Sequence, residues 1–287
     1  LFFSTQDMVI KLISDDYALH QIILIRSIVA ILFIMVFLTK YDGGFNCLYT
    51  KYFGLQLLRG LGITLANICI YSAFVTISIG ETMALFFVAP LMITLTSWIV
   101  FKEKIYFSNG MAILLGMTGV ILIIKPGFYV FKFEYLLPIL AAISYTFVQL
   151  ITFKIGKTEK ASSLAFYIQL VLIIISLFIG LLVGDGKFQN QENPTLNFLF
   201  RSWRVPEYYD SFIIIGSGVL SGLGMFFIAQ AYRTTLSSIV APFEYVAVFF
   251  GVFWSIIIFH NWPDYLAWIG IILIVTAGLF NLKKIDK

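Results

Sequence analysis

The sequence predicts an all-α membrane protein of about ten transmembrane helices, arranged as two inverted five-helix repeats, and three observations carry that expectation. Apolar residues make up 60% of the 287 and charged residues only 12%, far from the roughly half-apolar, quarter-charged profile of soluble domains. The apolar residues fall in runs long enough to span a bilayer, where a helix satisfies its own backbone hydrogen bonds. The chain also resembles itself at a fixed step of 158 residues in its later part.

Runs bounded by charge, Gly, Asn or Pro mark spans at 1–13, 20–38, 53–77, 81–101, 107–124, 134–153, 163–183, 211–232, 238–259 and 263–282. The first is too short for about 30 Å of hydrocarbon, so residues are expected upstream of Leu1; it has neither the basic n-region nor the small-residue cleavage site of a signal peptide. Links are short except Gly184 to Asp210, whose Asn, Gln and turn residues read as one surface loop. Cys47 and Cys69 have no metal-ligand spacing and form no disulfide framework.

Of the 19 basic residues, 12 fall on one side of these spans and 5 on the other, with Lys11 and Arg26 inside them. The positive-inside rule then puts both termini in the cytoplasm, as an even number of spans requires. The net charge of +4 belongs to these loops and gives no reason to expect a nucleic-acid partner. Residues 73–125 align with 231–283 without a gap, with eleven identities in 53 positions, among them Thr76/Thr234, Ser97/Ser255 and Thr118/Thr276. Two units are expected, 1–125 and 134–283. Five spans in each oblige the halves to insert with opposite orientation.

The stretches Leu58-Arg59-Gly60, Tyr71-Ser72-Ala73-Phe74, Phe86-Phe87-Val88-Ala89-Pro90 and Phe101-Lys102-Glu103, with Ala229-Gln230-Ala231-Tyr232 and Ala241-Pro242-Phe243-Glu244-Tyr245 later, resemble the drug/metabolite transporter superfamily, specifically its EamA-type ten-helix members. The resemblance covers nearly the whole chain and implies a cavity lined by spans 1, 3, 4, 6, 8 and 9, with 5 and 10 as scaffold. It implies small-molecule metabolites as cargo without choosing one. The chain departs from the pattern where His260-Asn261 stands in the place matching Glu103, so the two halves are not equivalent there.

Ionisable residues inside spans cost about 2.5–3.5 kcal/mol on insertion scales and need partners, which makes them the site candidates. Asp7 and Lys11, one turn apart, can neutralise each other as a structural pair or serve substrate or gate. Arg26 and Arg59 lie about 9 Å into their helices. Arg26 has the option of snorkelling, while Arg59, with Asn67 two turns deeper, has a guanidinium able to grip a carboxylate or phosphate. Glu244 is either a coupling-proton carrier or half of an ion pair with Arg59 or Arg233. Glu81 opens the fourth span, where an acid favours the helix N-terminus. Pro90 removes a hydrogen bond within that span, whereas Pro242 falls in the first turn of the ninth, where proline is tolerated. Tyr145 with Gln149, and Gln230 with Thr234, present polar atoms one turn apart, for substrate or for joining helices.

A secondary transporter of a small organic metabolite follows, working by alternating access with proton coupling or exchange. A membrane-embedded enzyme is the competing class, but His20 and His260 are the only histidines and no paired catalytic groups or zinc motif is present. A passive channel or lipid-flipping protein is the third, lacking a filter loop or ring of like charge. No cofactor or metal is expected, and the bilayer is the expected surrounding.

Overall fold

The computed structural model describes residues 1–77, 79–102, 107–124, 133–189, 192–259, 262 and 265–282. The helices are α1 (Phe2–Ile13), α2 (Leu19–Tyr41), α3 (Phe53–Thr76), α4 (Ile79–Phe86), α5 (Val88–Phe101), α6 (Phe107–Ile124), α7 (Leu136–Ile155), α8 (Ala161–Val183), α9 (Pro194–Phe200), α10 (Tyr208–Thr234), α11 (Ser237–Val240), α12 (Val246–Phe259) and α13 (Tyr265–Leu282). Short 3-10 segments lie at Phe45–Leu48, Phe133–Tyr135 and Ala241–Tyr245, and no strand occurs among the described residues. Each expected apolar run holds at least one helix among the described residues. Among the described residues, six helical stretches are long and apolar enough to cross a membrane on length and composition alone, with Val88–Phe101 and Trp268–Ala277 as shorter apolar helices. Leu61, Phe147, Phe178, Leu181 and Ile272 are exposed on helix surfaces, which suits lipid and would be costly in water. The protein is an integral membrane protein.

Helix boundaries repeat. Thr76 and Thr234 end α3 and α10, Ile79 and Ser237 begin α4 and α11, and α5 and α6 match α12 and α13 residue for residue at the step of 158. Earlier in each half the step is 142: Ile13 and Ile155 end α1 and α7, and Leu19–Tyr41 matches Ala161–Val183 at both ends. The difference of 16 residues falls between α8 and α10. Packing follows the same exchange. Helix α3 lies on α7 and α8, as α10 lies on α1 and α2, while α2 meets α8 and α6 meets α13. Glycine permits the closest of these approaches: a Cβ on Gly60 would collide with Val171, and one on Gly218 with Val29. Both residues of one pair are the fixed-step counterparts of the other.

Three expectations about local structure change. The fourth span is two helices, broken at Phe87, with Pro90 in the first turn of α5, where a missing N–H costs little. The ninth is also discontinuous, because Ala241–Tyr245 forms a 3-10 segment between α11 and α12 that holds both Pro242 and Glu244; Glu244 is therefore at a helix junction rather than well inside a helix. The polar loop contains α9, started by Pro194 and by the Asn193 side chain accepting from the Leu196 N–H at 3.1 Å. Its Phe198 is 1% exposed and belongs to the main core.

That loop closes over the α1–α2 turn. Tyr17 donates to Asp210 Oδ2 at 2.6 Å and accepts from the Glu207 N–H at 3.1 Å. Gln21 and Arg204 bond reciprocally through the Arg204 backbone, and Arg201 Nη1 donates to the Ser14 carbonyl at 3.1 Å. At the other ends of these helices, Asp42 accepts from Ser162 of α8, and Thr50 donates to Glu159 Oε1 at 2.7 Å.

Candidate functional site: a cavity with two carboxyls

A cavity of about 430 Å³ lies among α1, α2, α3, α4, α7, α10 and the broken ninth span. Its wall is largely apolar and aromatic, with Phe3, Phe86, Phe87, Phe227 and Phe243 on it, and its acidic and basic side chains among the described residues are Asp7, Arg26 and Glu244. Membrane helices hold such groups where a polar interior or a partner compensates them.

Each carboxyl is held by tyrosine. On α1, Asp7 Oδ1 accepts from the Tyr71 hydroxyl of α3 at 3.0 Å. That hydroxyl oxygen accepts from Gln6 Nε2 at 2.9 Å and from Arg26 Nη1 of α2 at 3.1 Å, and the Arg26 guanidinium carbon is 5.8 Å from the Tyr71 ring centroid. Glu244 Oε1 accepts from Tyr232 of α10 at 2.5 Å and from Tyr145 of α7 at 3.2 Å. The 3-10 junction brings this about: the chain there leaves the α-helical path and turns Glu244 towards α7 and α10. Asn67 Nδ2, Gln6 Oε1 and Arg26 Nε on the same wall are buried without a hydrogen-bond partner, donors and an acceptor open to a ligand.

Of the residues singled out in the sequence, Asp7, Glu244, Asn67 and Tyr145 line this cavity together. Lys11 does not join Asp7; it donates to the Phe74 carbonyl near the end of α3. Arg59, 1% exposed, is away from the cavity: Nε donates to Thr152 at 2.9 Å, and Nη1 donates to Gln56 at 2.6 Å and to the Leu164 carbonyl at 3.2 Å. Gln230 also lies off the wall, accepting from Arg233 at 3.1 Å, while Gln149 is buried one turn beyond Tyr145. Arg26 does not snorkel; it is 1% exposed in the Tyr71 cluster. Glu244 pairs with neither Arg59 nor Arg233, because Arg233 donates to the Gly156 and Glu159 carbonyls. Helix α4 contains Glu81, but its side chain lies outside the described residues, as do Glu103 and His260-Asn261. Gln6 is not a candidate from the sequence, and Tyr71 and Tyr232 stand only in the stretches that carry the resemblance, not as site residues; the available signal is a polar residue beside Asp7, one turn from Asn67 and two residues before the end of α10. No cluster among the described residues is placed to hold a metal ion.

Broken helices and paired ionisable groups around a cavity inside a bundle of membrane helices define a membrane transport protein. The chain belongs to the EamA-like transporter family, whose model matches residues 1–125 and 132–282. It is 26% identical over 258 residues to a riboflavin transporter of Vibrio cholerae, covering 90% of this chain and 80% of that one. It is 22% identical to an S-adenosylmethionine uptake transporter of Rickettsia prowazekii, over 99% and 90% of the two chains, and 25% identical to an uncharacterized transporter of Helicobacter pylori, over 100% and 94%. A solved crystal structure matches 100% of this chain and 97% of its own with a TM-score of 0.76 at 12% identity, a likeness of fold alone.

Proposed function

We propose that the protein is a secondary transporter carrying a small organic metabolite across a bacterial inner membrane by alternating access, driven by a coupled proton or by exchange. Its halves act as two repeats inserted with opposite orientation, both termini cytoplasmic, and the breaks at Phe87 and Ala241–Tyr245 serve as hinges. The observation that carries this reading is the presence of Asp7 and Glu244 on one cavity wall, each bonded to tyrosine hydroxyls from other helices. A carboxyl in such a place binds a proton or a cation and must exchange it for the helices to move. Relatives named for riboflavin and S-adenosylmethionine transport support a metabolite as cargo. Asn67 and Tyr145 hold the substrate by hydrogen bonding, and Gln149 steadies Tyr145.

Comparative metabolomics of cells and medium tests it, with wild type beside Asp7→Asn and Glu244→Gln. One compound class should redistribute with wild type and fail to do so with either variant. Correctly inserted wild type that moves nothing, or that yields a new compound, would sink the carrier reading.

A further inference from the structure

We propose that the cavity selects organic cations, with Glu244 as the counter-ion of a positively charged group held against aromatic rings and the apolar remainder taking the body of the molecule. This rests on the carrier reading and narrows its cargo.

The charges on the wall are unequal. Two carboxyls face one guanidinium among the described residues. Arg26 and Asp7 meet on a single hydroxyl, that of Tyr71, with Arg26 Nη1 donating to it and Asp7 accepting from it, so the guanidinium charge has its counter-charge at that end although its Nε keeps a free N–H. Glu244 has only neutral donors, Tyr232 and Tyr145, and both bond to the same oxygen, Oε1. Both hydrogen bonds to Glu244 among the described residues thus fall on Oε1 and none on Oε2, and Glu244 is half-buried on the cavity wall. A carboxyl removed from bulk water takes up a proton or requires a compensating charge, and no described residue supplies that charge to Glu244.

The rings beside Glu244 suit a cation. Tyr145, which donates to it, has its centroid 5.4 Å from that of Phe86, and Phe86 is 6.2 Å from Phe87. Phe243 precedes Glu244 and lines the same wall. Ring faces attract a desolvated ammonium or sulfonium, more so for one with apolar substituents than for a hydrated metal ion. A cavity of about 430 Å³ lies in the lower part of the usual range for small-molecule sites, roughly 300–1,000 Å³, so the cation is a metabolite and not a peptide. An anion would meet two carboxyls and an arginine whose charge Asp7 already balances across the Tyr71 hydroxyl.

The test is equilibrium binding to the purified full chain, using radiolabelled benzyltrimethylammonium with N,N-dimethylbenzamide and phenylacetate as neutral and anionic probes of similar size. Wild type should hold the ammonium about tenfold or more tighter than either competitor. Glu244→Gln should lose that preference, Glu244→Asp should keep part of it, and Asp185→Asn, on the surface loop, should bind as wild type. Equal binding of the three probes by wild type, a preference for phenylacetate, or an undiminished ammonium preference in Glu244→Gln would each overturn the proposal. If Glu244→Gln does not fold, wild-type charge selectivity and Glu244→Asp decide it. The metabolite experiment separates the two readings: a neutral or anionic compound moving with wild type ends the cation inference and leaves the carrier, whereas no movement ends the carrier whatever the probes show.

Discussion

Tyr245 stacks on Phe87, its ring centroid 5.6 Å away at 29°, and its hydroxyl donates to the Phe87 carbonyl at 3.2 Å across a separation of 158 residues. The two residues are fixed-step counterparts, each the last before the long helix of its broken span. One half thus uses its junction to hold the junction of the other. Tyr245→Phe keeps the stacking and deletes the hydrogen bond, so it should cost about 0.5–1.5 kcal/mol. Tyr245→Ala removes both and should cost several times more. Denaturant titration of purified protein distinguishes them; equal losses would show that the ring contributes nothing.

The pairs Gly60 with Val171 and Gly218 with Val29 make a matched prediction. Gly60→Val and Gly218→Val each force a packed interface apart and should destabilise by about 1–3 kcal/mol or more. Thermal unfolding in detergent measures each. A variant as stable as wild type would mean that its helix pair is looser than the contacts indicate.

Arg59 ties α3 to Thr152 of α7 and to the Leu164 carbonyl of α8. Removing it strands buried acceptors, at about 1–3 kcal/mol for each polar group left unpaired. Arg59→Ala should therefore reduce the yield of folded protein while the KM of the folded fraction stays that of wild type. A raised KM with normal yield would return Arg59 to the binding site.

At the loop, burial raises the pKa of the Tyr17 hydroxyl above its ordinary value, and the Asp210 carboxyl it donates to adds to the rise. The folded state favours the protonated phenol, so the stabilisation is fully present below the unfolded value of about 10 and is lost as pH climbs through the higher folded value. Across pH 7 to 9, Tyr17→Phe should expose the loop to protease faster than wild type by a constant factor. Above about pH 10 the two should converge. A difference that already vanishes between pH 7 and 9 would refute the assignment.

The cavity residues that could be read from the chain were those whose presence in an apolar run is itself costly: Asp7, Glu244 and Asn67. Their partners were not legible, because Tyr71 reaches Asp7 across 64 residues and Tyr145 reaches Glu244 across 99, and no helix periodicity states which helix will face which. Depth in a span selected Arg59 but says nothing about the side of the helix, and its guanidinium is turned to Thr152 and the Leu164 carbonyl. Glu244 was placed inside a helix because Pro242 is as compatible with a helical first turn as with the 3-10 path observed. A single ungapped step found only the later helices of each half, since the loop before α10 changes the step from 142 to 158. Helix α9 was announced by Asn193-Pro194, but its polar surroundings resembled a loop.

The extra residues between α8 and α10 make the molecule lopsided in a usable way. They belong to one half and bond to Ser14 and Gln21 of the other, at one end only. A nanobody gripping Pro194–Phe200 and the irregular segment after it would sense whether those bonds are closed, and reciprocity makes it hold closed what it recognises as closed. That end of the protein is a natural handle for trapping one conformation, and a trapped conformation is the one in which a bound cargo can be seen.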